Sequence, residues 1–138
     1  MKLTPSIKRK AGMTLLELTV VILVLLSLIS ILFIGARAWK KGSDRAANVL
    51  NIRNVQQAVR GHENMRGLAV GATVSEETIF GAADGSTQGY LKRPTSPTTG
   101  IAYAYTGTVP AIGTLYTTVT YTAPATAEDY GPANTSDW

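Results

Sequence analysis

The sequence predicts an α+β fold in which one long N-terminal helix packs on a small antiparallel sheet. Three observations lead to this prediction. An unbroken apolar run covers residues 13–36, and an amphipathic helical pattern follows over residues 37–66. A small Thr- and Tyr-rich region with two alternating strand patterns and an extended tail covers residues 67–138. A short basic leader, residues 1–12, precedes all three segments.

Charge is distributed unevenly along the 138 residues, whose formal net charge is +4. The leader contains four basic residues and no acid, whereas residues 67–138 contain two basic residues and six acids. The basicity therefore belongs to the leader and the helix, and does not indicate a general nucleic-acid surface. Since the chain has no cysteine and only one histidine, His62, disulfides, thiolate sites and sites that need two histidines are excluded.

The apolar run of 24 residues has the length and composition of a membrane-spanning helix. As a helix it is about 36 Å long, which exceeds the ~30 Å of a bilayer core. A buried core helix is the less favoured alternative, because the remaining residues offer too little apolar surface to surround it. Its one charged residue is Glu17. A carboxylate inside a membrane segment costs roughly 2.5–3.5 kcal/mol and therefore indicates a function.

Three fates are open to the N-terminus. The run could be a secretory signal that is cut after Ala38, so that the product starts at Trp39. It could remain as an uncut signal anchor. The third fate is a cut between Gly12 and Met13. Basic residues flank the run on both sides, so charge alone does not decide its orientation.

The third fate coincides with a family resemblance. The stretch KRKAG (residues 8–12), in which Lys8, Arg9 and Lys10 supply the leader charge, is followed by MTLLEL (residues 13–18). This junction resembles the prepilin cleavage and methylation motif of type IV pilins and of type II secretion pseudopilins. A weaker resemblance to short pseudopilin heads lies in the order GYL…P…P…G…Y over residues 89–103.

The resemblance implies a pilin-like, lollipop-shaped subunit. A prepilin peptidase and methyltransferase would cut after Gly12 on the cytoplasmic side and methylate the new amine of Met13. The single-pass subunit would wait in the bacterial inner membrane with its N-terminus cytoplasmic and its head outside. It would then join copies of itself or other pilin-like subunits in a periplasmic or cell-surface helical filament, together with inner-membrane assembly machinery. Glu17 would pair with a neighbour's amine and set the axial register, as buried polar residues can.

The amphipathic segment predicts a stem that continues the apolar helix to residue 65. Val49, Ile52, Val55 and Val59 share one face and are expected to pack on the head. Polar residues, Asn48 and Gln56 among them, occupy the other faces, and His62 is expected to be a solvated helix-end residue. Arg37, Lys41 and Arg45 share a face, for which lipid-headgroup contact is favoured over DNA binding.

In the head, the sequence predicts a short helix with Ser75 as its N-cap and Gly81 at its end. Strands are expected at residues 101–106 and 115–122, and an extended tail over residues 123–138. Acidic residues of the tail, Glu128, Asp129 and Asp137, could ligate calcium, but a solvated acidic tail is favoured because no calcium-loop motif is present.

The leading hypothesis for function is a structural assembly subunit. An enzyme is not expected, because the sequence lacks a Gly-rich phosphate loop, metal-ligand spacing and a Ser/His/Asp set around His62. No metal or other cofactor is expected either. Two alternatives stay open. One is a signal-anchored or secreted binding module unrelated to pili. The other is a DNA-uptake pilin, which the acidic head argues against because phosphate binding needs clustered basic charge.

Overall fold

The computed structural model describes Gly12 and residues 14–138, and shows an α+β arrangement of five elements. They are α1 (Leu15–Arg66), α2 (Glu76–Phe80), β1 (Ile101–Tyr105), β2 (Thr117–Tyr121) and α3 (Ala127–Tyr130). The chain divides into two units, residues 1–38 and 39–138, and α1 contributes to both. The first unit contains the apolar part of α1, and every residue of that part is exposed.

The second unit has a small core built on the amphipathic part of α1. Its buried cluster consists of Val55, Val59, Val74, Ile79, Val109 and Tyr116. Two of these residues come from α1, one from α2, and the rest from the connecting segments. Tyr105 of β1 packs against this cluster, so the helix contributes apolar surface to a two-stranded sheet that would be marginal alone.

The helix α2 has the caps that the sequence predicts. The Ser75 hydroxyl accepts a hydrogen bond from the backbone N–H of Thr78 over 3.3 Å. The helix ends at Gly81, whose φ of 79° lies in the left-handed region that favours glycine. A side chain at Gly89 would meet the backbone of Phe80 and Gly81, so glycine is required there for close approach of two backbone segments.

The antiparallel pair is confirmed, with shorter strands than predicted. Ile101 pairs with Tyr121 and Tyr105 with Thr117, and alternate residues of each strand turn towards the core, as expected from the sequence. Tyr116, the residue before β2, is fully buried. Its hydroxyl has a partner in the core, because it donates to the carbonyl oxygen of Val74 over 2.9 Å.

The tail was expected to be extended throughout, but the structure shows one helical turn in it, α3. In α3 the Thr126 hydroxyl caps the turn by accepting from the N–H of Asp129 over 3.2 Å. The chain then runs as irregular structure to Trp138, and the guanidinium of Arg53 lies 4.7 Å from the centre of the Trp138 ring. Cation–π contact of this kind holds the last residue against α1.

Candidate functional site

The predicted processing junction lies partly outside the described residues. The residues outside the described part are the predicted leader charge, Lys8, Arg9 and Lys10, and the predicted methylation site, Met13. Of the two residues that the predicted cut would separate, the structure describes only Gly12. Gly12 is exposed and belongs to no helix or strand. A side chain added at Gly12 would meet no atom within 4 Å.

The structure gives Glu17 a hydrogen-bond partner in its own first helical turn. Its Oε2 accepts from the backbone N–H of Thr14 over 2.8 Å, and the Thr14 hydroxyl accepts from the N–H of Glu17 over 3.2 Å. This reciprocal pair is a capping box, which satisfies two donors at the start of a helix. The Thr-x-x-Glu spacing is the sequence signal of this motif, whereas the partner expected for Glu17 was the amine of a neighbouring subunit.

The apolar part of α1 is long and apolar enough to cross a membrane, and none of its most apolar 18-residue window is buried. Its few polar side chains are paired within the helix. The hydroxyls of Thr19, Ser27 and Ser30 donate to the backbone carbonyls of Leu16, Val24 and Leu26 over 2.7–2.8 Å. These bonds leave little polar surface unsatisfied, as hydrocarbon requires.

Of the four side chains predicted to pack on the head, three are fully buried. Ile52, Val55 and Val59 are at most 1% exposed, whereas Val49 is only partly buried. The buried face also includes three polar residues, Asn48, Gln56 and His62, which we call the polar seam. The sequence analysis placed Asn48 and Gln56 on polar faces and His62 in solvent, and these expectations were wrong.

Asn48 is the most densely bonded member of the polar seam. Its Nδ2 donates to the carbonyl oxygen of Tyr130 over 2.9 Å and to the hydroxyl of Tyr121 over 3.3 Å. Its Oδ1 accepts from the hydroxyl of Tyr103 over 2.6 Å. Burial raises the pKa of Tyr103, so the phenol remains a donor at neutral pH. One amide thereby joins α1 to β1, to β2 and to the tail.

Gln56 and His62 extend the polar seam towards the end of α1. The Gln56 amide donates to the carbonyl oxygen of Thr114 over 3.1 Å and accepts from the N–H of Tyr116 over 3.0 Å. The Gln56 side chain thus forms hydrogen bonds with backbone groups of the segment that immediately precedes β2. His62 Nδ1 lies 3.1 Å from the hydroxyl of Tyr90, so the histidine is buried because an aromatic residue of the loop covers it.

A basic segment follows the apolar run. Lys40 pairs with Asp44 within α1, and Lys41 pairs with Asp129 of α3, each over 2.7 Å. The hydrogen bond from Lys41 lowers the pKa of the Asp129 carboxyl, and the same bond raises the pKa of Lys41. Arg37 and Arg45 are exposed. Lys41 therefore contacts the tail, and the predicted lipid-headgroup contact of this face stays a prediction.

Within the part of the chain that the structure describes, no three His, Asp or Glu side chains come close enough to hold a metal ion. The calcium alternative for Glu128, Asp129 and Asp137 therefore has no ligand cluster there.

Comparison with protein-family models, with curated proteins and with solved structures finds no match for this chain. The assignment of a function accordingly rests on the residues and the geometry described above.

Proposed function

We propose that this chain is a membrane-anchored structural subunit that assembles through its N-terminal helix into a filament of the type IV pilus or type II secretion pseudopilus kind. The observation that carries the proposal is the apolar part of α1, which is exposed on every side in the single chain. An apolar surface of this size needs a membrane or neighbouring copies to cover it. The resemblance of the KRKAG–MTLLEL junction to the prepilin motif favours a membrane as the cover before assembly and neighbouring subunits as the cover in the filament.

The position of Glu17 supports this proposal. It is the one ionisable residue of the apolar run and lies in the first turn of α1, five residues after Gly12. A cut after Gly12 would create an amine close to this carboxylate. In a filament, the same carboxylate would accept the amine of a neighbouring subunit, with a defined stagger between helices.

The proposal places the chain in the bacterial inner membrane before assembly, with the N-terminus cytoplasmic and the head outside. Its partners would be copies of itself or other pilin-like subunits, the prepilin peptidase and methyltransferase, and inner-membrane assembly machinery. The role is structural and needs no catalytic residue, metal or other cofactor.

The test is the intact mass and N-terminal sequence of the protein extracted from membranes. A product that starts at Met13 and is heavier by one methyl group is the expected result. A product that starts at Met1 would make the chain an uncut anchor, and one that starts at Trp39 would make the apolar run a secretory signal. Either result would overturn the proposal. A Gly12→Val variant, in which the residue before the cut is bulkier, is the matched control and should keep its leader.

A further inference from the structure

A polar cavity of about 540 Å³ lies in the head, at the C-terminal end of α1. α1 supplies His62 and Arg66 to its wall, the start of α2 supplies Ser75 and Glu77, and the loop after α2 supplies residues 87–90. The volume is within the usual range of small-molecule sites. The proposed assembly through the N-terminal helix uses none of these residues.

Hydrogen bonds within the head hold the wall of this cavity in place. The N–H of Leu91 donates to the carbonyl oxygen of Ile79 over 3.0 Å, and the N–H of Ala82 donates to the Thr87 hydroxyl over 3.0 Å. A Cβ at Gly89 would meet backbone atoms of α2, so the loop lies directly on this helix. The cavity is therefore formed before any ligand enters, as ligand sites usually are.

His62 is the buried polar side chain of the wall. It is only 8% exposed, and its Nδ1 lies 3.1 Å from the Tyr90 hydroxyl. Among residues 14–138, no hydrogen bond reaches its other ring nitrogen, Nε2. The wall thus contains an imidazole of which only one of the two hydrogen-bonding nitrogens is used.

The described residues that line the cavity include one cation and one anion, and these two do not pair. The Arg66 guanidinium belongs to α1 and the Glu77 carboxylate to α2. Both residues are exposed, and neither takes part in an ion pair among residues 14–138. By contrast, Glu76 pairs with Arg93 over 2.8 Å. Two opposite charges therefore line the same cavity without neutralising each other.

These two charges select the ligand. A ligand that is only an anion would be attracted by Arg66 and repelled by Glu77, and a ligand that is only a cation would meet the reverse. An uncharged ligand would displace water from both charges and offer no charge to either. A zwitterion complements both charges. We propose that this cavity binds a small zwitterion, namely a short peptide with a free amino end and a free carboxyl end.

The separation of Arg66 and Glu77 favours a peptide over a single amino acid. An amino acid carries its ammonium and its carboxylate on one carbon atom, whereas the two side chains belong to different helices and lie too far apart to pair directly. Each further residue lengthens a peptide by about 3.5 Å, so a dipeptide or tripeptide separates its two charges. Arg66 would then hold the carboxylate of the peptide, and Glu77 would hold its ammonium.

The test uses the full chain in detergent micelles at a fixed pH, with dialanine as the probe. His62 is the only histidine of the chain, so its ring gives one carbon–proton NMR signal that reports on the cavity. We expect dialanine to shift this signal in a saturable way, with a dissociation constant of about 1 mM. Acetylated dialanine lacks the ammonium and dialanine amide lacks the carboxylate, so each should bind roughly three- to tenfold more weakly.

Three results of this titration would overturn the proposal. The first is the absence of a saturable shift up to about 10 mM dialanine. The second is equal binding of dialanine and both blocked peptides. The third is weaker binding of only one blocked peptide, because the cavity would then recognise a single charge. The head can bind a peptide without the assembly proposed above, so either proposal can fail alone.

Two variants assign the ends of the peptide to the two side chains. Arg66→Gln should bind dialanine and its amide equally, and Glu77→Gln should bind dialanine and its acetylated form equally. Both positions are exposed, so folding should be unaffected. Lys92→Gln and Asp84→Asn change exposed charges outside the cavity and should bind like the natural protein. A preference for both free ends that survives in Arg66→Gln or in Glu77→Gln would overturn the proposal.

Discussion

The hydroxyl of Tyr103 on β1 donates a hydrogen bond of 2.6 Å to Oδ1 of Asn48 on α1. These residues are 55 positions apart in the chain, and Asn48 is fully buried. The helix is therefore held to the head by directional polar contacts as well as by apolar packing. Such contacts specify one alignment of helix and sheet, because a shift along the helix would leave several buried groups unpaired.

The first prediction concerns Asn48. Asn48→Ala leaves the Tyr103 hydroxyl and the Tyr130 carbonyl without their partner, so we expect the head to lose about 1–3 kcal/mol of unfolding free energy. Urea unfolding of the full chain in detergent, followed by near-ultraviolet circular dichroism of the tyrosines, measures this loss. Asn64→Ala, at an exposed position of the same helix, is the control and should change stability little. An equal effect of both variants would contradict the role assigned to Asn48.

Gln56 and Gln57 offer a matched pair for the second prediction. Gln56 is buried and bonds the backbone at Thr114 and Tyr116, whereas Gln57 is exposed. Gln56→Ala should cost about 1–3 kcal/mol because a buried donor and a buried acceptor lose their partners. Gln57→Ala should stay within about 0.5 kcal/mol of the natural protein. Thermal unfolding of the two variants side by side measures the difference in stability. Equal stability of the two variants would refute the role assigned to Gln56 in holding the segment before β2.

The third prediction is a dependence on pH through Asp129. Lys41 lowers the pKa of the folded-state carboxyl below its ordinary value of about 3.9. The stabilisation from the ion pair is therefore complete above that value and is lost as the pH falls through the folded-state pKa. Lys41→Met should raise the pKa of Asp129, whereas Lys40→Met should not, because Lys40 pairs with Asp44. Carboxyl-carbon NMR titration of Asp129 in the two variants measures this, and equal titration curves would contradict it.

The fourth prediction separates two roles of Glu17. Gln can replace Glu in a capping box, so Glu17→Gln should preserve the first turn of α1 and membrane insertion. It removes the charge that the proposed filament contact needs, so filament assembly should fall sharply while cleavage stays intact. Glu17→Ala should lose both the cap and assembly, also with cleavage intact. Electron microscopy of filaments and immunoblots of processing measure these effects. Normal assembly of Glu17→Gln would show that Glu17 acts through the cap alone.

The sequence by itself determined the elements whose causes are local. The apolar run and the helical pattern after it predict α1, because side-chain periodicity and the absence of proline act within a few turns. The caps of α2 at Ser75 and Gly81 depend on residues within a single turn, and they were predicted correctly. The pairing of β1 with β2 follows from two alternating stretches joined by one loop.

The tertiary structure decided how the polar residues of the buried face are satisfied. Asn48, Gln56 and His62 were expected in solvent because their side chains are polar, although helical spacing places them on the same face as Ile52, Val55 and Val59. They are buried because the tyrosines and backbone groups that satisfy them come from segments 28–82 residues away. The number of strands that pair with β2 is likewise not visible in the sequence, and the described structure gives it β1 alone. Burial of a polar group is a property of its partners, and partners distant in the chain are brought together only by the fold.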